Sequence, residues 1–368
     1  LDRQRADRLA RHFRIFAESE CPTLPVYRQI CLGTADDPAV LALFADTPAR
    51  QQRPVLLLAA VHDLLLGGLD HPLARWYPTV NGGRTPPDDD PFSMFRDLVL
   101  GHANDVLARL ATRATQTNEV NRSCLWFAAL RAASADQPDR PISLIEVGAA
   151  AGLNLLVDQY QYNYWRDTPG DGIQRGNPAS KVALRCQVIG AQPPVNRAAP
   201  PIAHRVGIDP QPIDVFDLDA VRWLQACVWP EQLERHQRFV AAVETARLDP
   251  PTVVPGDAVA DIDSVVATAG ADHHVVVINS WVLTYLATDR RAAFEDALDR
   301  IGRVRDLTWV SAEHPHCLGA FDRGAVDADN VDYSLVGMRT WRSGQRTTQH
   351  VATIHPHLQW IRWADRAR

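Results

Sequence analysis

Ile142-Ser143-Leu144-Ile145-Glu146-Val147-Gly148-Ala149-Ala150-Ala151-Gly152-Leu153-Asn154-Leu155-Leu156 is the stretch around which the rest of the chain is organised. It opens as a short apolar run, of a length that suits a buried strand. It then breaks into a loop of very small residues. After Gly152 the apolar residues Leu153, Leu156, Val157 and Tyr160 fall at helical spacing, which predicts a helix. Strand, small-residue turn and helix N-terminus form a recurrent cradle for nucleotides. Small side chains let a ligand approach the backbone, and the free N–H groups of the first helical turn then face it. Close packing of helix on strand calls for the same small residues, so a purely structural reading stands beside the nucleotide one.

The chain has 368 residues, enough for two domains or one large one. Hydrophobic residues make up 46%, the proportion of a globular protein with a real core. The formal net charge of -6 gives no general attraction to nucleic acid. Lys181 is the only lysine among the basic residues, so there is no Gly-Lys-Ser/Thr phosphate loop. Cys21, Cys31, Cys124, Cys186, Cys227 and Cys317 form no Cys-x-x-Cys pair, so neither a zinc ribbon nor a redox motif is indicated. Cys124 and Cys227 lie in apolar helical patterns and read as buried thiols. No signal peptide opens the sequence and no apolar run reaches the ~18 residues of a membrane span. A cytoplasmic protein is the expectation, without membrane or nucleic-acid partners and with the oligomeric state left open.

Residues 1–138 read as a helical N-terminal domain and a lid candidate. The segment Pro54 to Leu66 starts with proline, ends at Gly67-Gly68 and is apolar nearly all round, as a central bundle helix would be. A long loop follows, with Asp88-Asp89-Asp90 read as solvated surface rather than a metal site. Phe92 to Arg113 reads as one further helix. The run Thr115-Gln116-Thr117-Asn118-Glu119-Val120-Asn121-Arg122 is densely polar between two apolar helices. Thr117 or Asn118 could cap the helix beginning near Glu119; alternatively Gln116, Asn118 and Arg122 face a ligand.

From 139 to 368 strands and helices alternate, which implies a parallel sheet wrapped by helices. Core strands are expected at 142–147, 204–210, 252–258, 274–281 and 307–313, with helices at about 218–246, broken near Trp229-Pro230, and at 289–304. An insertion at about 161–202 holds a hairpin strand, Val182 to Gly190. Tyr333 to Arg342 and Thr347 to Ile354, joined at Ser343-Gly344-Gln345, read as a terminal hairpin. Notable residues then collect at the strand ends, where such sheets bind ligands: Glu146 and Gly148, Asp209, Asp257, Asn279 and Glu313.

An acid followed by Gly148, Ala150 and Gly152 resembles motif I of the class I S-adenosylmethionine (SAM) methyltransferases, an acid followed by Gly-x-Gly-x-Gly. Ala150 replaces the middle glycine. Because alanine resists positive φ, the turn is expected to differ slightly or the cofactor to be displaced. Glu146 to Leu156, with Gln116 to Arg122, Val206-Gly207-Ile208-Asp209 and Ala226-Cys227-Val228-Trp229-Pro230, also resembles the DUF2332 proteins, an uncharacterised bacterial family, over most of the chain. Arginine richness with almost no lysine is similar to a high-GC actinobacterial source. The resemblance implies a Rossmann-like methyltransferase fold, a mostly parallel seven-stranded sheet with an antiparallel last strand, behind the helical domain.

The resemblance to the methyltransferases further implies that Glu146, Gly148, Ala149, Gly152 and Asn154 surround the methionine part of SAM. Asp209 would hold its ribose, Asp257 and Ala258 would frame the adenine, and Asn279 and Ser280 would lie beneath the sulfonium. For Asp209 and Asp257, loop capping is the plainer role. Gln116, Asn118, Arg122 and Trp281 are candidates to face the acceptor. His314, Glu313 and Tyr285, in that order, are candidate bases for its proton. Three functions follow: a SAM-dependent methyltransferase acting on a small molecule; a methyltransferase-like binding or regulatory protein without catalysis; and a metal-dependent hydrolase using His314 and His316.

Overall fold

In the computed structural model, which describes residues 2–198, 200–318, 321 and 333–364, the strands in chain order are β1 (Ile142–Val147), β2 (Gln161–Trp165), β3 (Ile173–Gly176), β4 (Ala183–Val188), β5 (Ile202–Asp209), β6 (Thr252–Pro255), β7 (His274–Ser280), β8 (Leu307–Glu313), β9 (Ser334–Arg342), β10 (Gln345–Ile354) and β11 (Trp360–Trp363). Every residue of β1 is buried, as a strand covered on both faces requires. It pairs in parallel with β5 on one side and β7 on the other; β6 and β8 continue the parallel run outward. All five strands lie where the apolar runs predict them.

Among the described residues the sheet has eleven strands, in the order β3-β2-β4-β11-β10-β9-β8-β7-β1-β5-β6, rather than the seven expected. The terminal hairpin is present. β9 runs antiparallel to β8 and to β10, and the turn uses Ser343 and Gly344 at φ 49° and 78°, the left-handed pair a two-residue hairpin requires. The extension comes from β11 and the insertion. β4 pairs in parallel with both β2 and β11, so the run expected as half of an inserted hairpin instead joins the main sheet. The hairpin of the insertion is β2 with β3.

A second correction concerns the segment after Gly152. In place of the expected helix there is one 3-10 turn, Leu153–Leu156. Tyr160 donates its hydroxyl to the Leu153 carbonyl at 2.6 Å, and Tyr162 donates to the Val157 carbonyl. Carbonyls that a helix would bond internally are therefore bonded by one tyrosine just before β2 and one within it.

The helices are α1 (Arg3–Ser19), α2 (Pro25–Asp36), α3 (Pro38–Ala45), α4 (Pro54–Leu66), α5 (Phe92–Gly101), α6 (Ala103–Thr112), α7 (Ser123–Ala133), α8 (Leu218–Ala226), α9 (Leu233–Leu248), α10 (Ile262–Ala267) and α11 (Thr288–Val304). The single helix expected over 92–113 breaks at His102, whose φ of -116° and ψ of 35° are not helical. Among the described residues no helix is long and apolar enough to cross a membrane.

The chain divides into two compact units, residues 1–117 with 216–240, and 118–215 with 241–368. The boundary expected between 138 and 139 thus lies within the second unit, and α8 belongs to the first. In the first unit α4 is buried along almost its whole length. Its Asp63 accepts from Arg109 at 2.7 Å and from Arg222 of α8 at 3.0 Å. Glu231 bonds the amides of Val26 and Tyr27 at 2.9 and 3.0 Å, capping α2, which has no cap of its own. Asp88, Asp89 and Asp90 are exposed, and Asp90 accepts from the Phe92 amide.

Candidate functional site

The loop that leaves β1 owes its shape to three left-handed residues, Gly148, Ala150 and Gly152, at φ 75°, 50° and 69°. Ala150 itself adopts a left-handed conformation, as a middle glycine would. Its amide donates to Asp209 Oδ2 at 2.9 Å, and the Gln211 amide donates to Oδ1 at 2.8 Å. The amides of Gly148 and Ala149 share the Ile208 carbonyl at 2.8 and 3.3 Å. The loop packs closely on this neighbouring strand. A Cβ at Gly207 would fall 2.5 Å from that of Ala149. One at Gly152 would meet Pro251 at 2.8 Å, and one at Gly148 would meet Val282 Cγ2 at 2.4 Å. Gly148 is exposed, whereas Ala149 and Gly152 are buried.

Glu146 lies beneath this loop, 6% exposed. Its Oε1 accepts from Asn154 Nδ2 at 3.1 Å, and Asn154 Oδ1 accepts in turn from Ser123 at 2.9 Å. Its Oε2 is buried without a hydrogen-bond partner among the described residues. Burial pushes the carboxyl up to about 8; the Asn154 bond and the Arg122 charge oppose the shift, and the Asp209 charge adds to it. Burial likewise raises Asp209, against its two backbone bonds.

The polar run before α7 ties several strands to this rim. Asn118 Nδ2 donates to the Ala149 carbonyl at 3.3 Å. Glu119, rather than Thr117 or Asn118, caps the turn at 120–122 by accepting from the Asn121 amide at 3.1 Å. Glu119 also lies 3.2 Å from His357. Asn121 donates to the carbonyls of Arg185 and Leu358 at 3.0 and 2.8 Å. Arg122, 6% exposed, donates to the Pro356 carbonyl at 3.1 Å and to Ser280 Oγ at 2.9 Å. Gln116 belongs to the first unit.

At the ends of β7 and β8 the predicted residues separate by role. Asn279 is fully buried and already bonded at both ends. Its Oδ1 accepts from Trp309 at 2.7 Å, and its Nδ2 donates to Ser311 and Glu313 at 2.9 and 2.7 Å. Its polar atoms are thus engaged within the protein. Glu313 is 0% exposed, and its Oε1 also accepts from the amides of Val282 and Leu283 at 2.8 and 3.1 Å. It is a positioning residue for that turn rather than a base open to an acceptor, and burial raises it to about 6. Trp281 holds a left-handed φ of 56° and donates to Ser334 at 3.1 Å. Its ring meets His314 edge-on at 6.3 Å. His314 is half-buried, its pKa lowered first by burial and then by His316. Tyr285 is 73% exposed. Asp257 caps its own turn, accepting from Val259 and Ala260 at 2.9 Å each, and pairs with Arg290. Ala258 packs partly buried against the core beneath.

Sequence reasoning missed Ser123 and Val282. Ser123 adjoins the polar run, a signal that could have found it; Val282 carries none. Of the two thiols read as buried, Cys124 is so and Cys227 only partly. Among the described residues no group of three or more His, Cys, Asp or Glu is arranged to hold a metal ion.

Five parallel strands in the order β6-β5-β1-β7-β8 reverse their direction of progress at β1 and β7, which defines an α/β protein with a topological switch point at its central strand. The chain belongs to the DUF2332 family, described as an uncharacterized protein conserved in bacteria, which matches residues 10–363. No curated protein matches it.

Proposed function

We propose that the protein is a SAM-dependent methyltransferase acting on a small molecule, with its site at the rim over β1, β5 and β7. The observation that carries this reading is the left-handed backbone at Gly148, Ala150 and Gly152, bonded to Asp209 on the adjacent strand. Gly148 is exposed, so a ligand can approach its backbone. Each Asp209 oxygen accepts one amide and retains a lone pair for a hydroxyl. Asp257 and Ala258 follow the next strand outward.

These residues fit an adenosyl group. Gly148 and Ala149 would hold the methionine part, Asp209 the ribose, and Asp257 with Ala258 the adenine. Asn154 and Asn279 do not fit, because their side chains are bonded at both ends within the protein. When bound, the group supplies an electrophilic methyl on its sulfonium. The chain's own task is to hold an acceptor in line and to take its proton. His314, whose lowered pKa favours its neutral form, is the base best placed for this among the three candidates.

A second reading, a methyltransferase-like binding protein without catalysis, is favoured by the 3-10 turn at 153–156, which removes the helix N-terminus that would face the ligand. Calorimetry with SAM and S-adenosylhomocysteine, followed by a methyl-transfer assay against a metabolite extract, tests both. Binding with turnover supports the first reading and binding without turnover the second. Failure of both ligands to bind at millimolar concentration rejects both.

A further inference from the structure

Arg131 stands in the last turn of α7 and is 8% exposed. Its Nε is buried without a hydrogen-bond partner among the described residues. Burying a charge is costly unless a counter-charge accompanies it. The charge acting on Arg131 has the same sign. Burial and then the charge of Arg197 hold its guanidinium below the usual range. Both arginines line one cavity of about 980 Å³, together with Asn196, Gln349, His350 and Trp363. No aspartate or glutamate is among its described lining residues. Every lining residue belongs to the second unit, and none takes part in the rim described above.

Two arginines converging on a space of ligand size, with hydrogen-bonding side chains and a half-buried indole around them, form an anion site in kind. We infer that this cavity binds a small molecule through an oxyanion, phosphate or carboxylate, held between Arg131 and Arg197, with the remainder against Trp363. An anion there supplies the counter-charge that the described lining residues lack. A guanidinium presents paired N–H donors to either oxyanion, and the indole of Trp363 offers an apolar face to whatever the oxyanion is attached to. The inference does not depend on the rim binding an adenosyl group.

The test is calorimetric titration of the full chain with inorganic phosphate, pyrophosphate and benzoate at fixed ionic strength. At least one should saturate at one per chain. Saturation by phosphate or pyrophosphate alone marks a phosphorylated ligand, and saturation by benzoate alone marks a carboxylate. Arg197→Gln and Arg131→Gln should each weaken that binding about tenfold or more, as the loss of a charged hydrogen bond implies. Arg197 is exposed, so its variant decides the question if Arg131→Gln fails to fold by circular dichroism. No saturation by any probe, or unchanged affinity in the folded variants, would overturn the inference.

Discussion

Ala150 donates its backbone N–H to Asp209 Oδ2 at 2.9 Å, across 59 residues of chain. The bond ties the loop of the central strand to the end of the neighbouring one and holds a left-handed alanine where the motif has glycine. The acid assigned to a ribose therefore has a structural role as well. On the proposed function, ligand recognition and loop shape depend on the same carboxylate.

Asp209→Ala removes the acceptor for two backbone amides. It should cost about 1–3 kcal/mol of stability in chemical denaturation and weaken S-adenosylhomocysteine by a similar amount. Asp209→Asn, which keeps one acceptor oxygen, should cost less on both counts. Full stability in the alanine variant would remove the loop-anchoring role, and full affinity would remove the ribose.

The loop's positions should respond to substitution in opposite directions. Ala150→Gly relieves a left-handed φ and should be neutral or stabilising within about 1 kcal/mol, measured by thermal unfolding. Gly148→Ala drives a methyl to 2.4 Å from Val282 Cγ2 and should destabilise by about 1–3 kcal/mol. Adding Val282→Ala should recover part of that loss, an interaction energy that a double-mutant cycle reads directly.

Glu146 makes stability depend on pH. Its folded pKa, about 8, lies above the ordinary carboxyl value of 4.5 that an unfolded chain has. Between these values the native state holds a proton that the unfolded state has released, so stability falls as pH rises through that window. Glu146→Gln keeps the acceptor for Asn154 and should flatten this decline. Denaturation midpoints from pH 5 to pH 8, as the window implies, check it; parallel curves for the two proteins would contradict it.

Arg122 is the buried cation whose charge opposes the raised pKa of both Glu146 and Glu313. Arg122→Met should destabilise by about 1–3 kcal/mol near neutral pH, since it removes the bonds to the Pro356 carbonyl and Ser280 and takes the cation away from the Glu313 carboxylate. The part of the loss that comes from charge should shrink as pH falls and Glu313 takes up its proton. A deficit that does not change with pH would assign Arg122 to packing alone.

The parts of this fold legible in the sequence are those with local causes. The five parallel core strands announce themselves as apolar runs, α4 is bounded by Pro54 and Gly67 as predicted, and Gly344 marks the terminal hairpin. The extension of the sheet was not legible, because β4 and β11 pair only after distant segments meet. The helix after Gly152 fails because the hydroxyls of Tyr160 and Tyr162 bond its carbonyls, a competition that apolar periodicity does not reveal. At the site, the sequence brought out Glu146, Asp209 and the run from Gln116 to Arg122. It did not reveal that Asn121 binds strand and turn carbonyls, or that Asn279 and Glu313 bond one another.

Titration of the purified chain with S-adenosylhomocysteine by calorimetry, beside its Asp209→Ala variant, tests the central claim most directly. The account predicts saturable binding at one per chain that weakens about tenfold or more in the variant. No binding heat at millimolar ligand, or an affinity indifferent to Asp209, would contradict it.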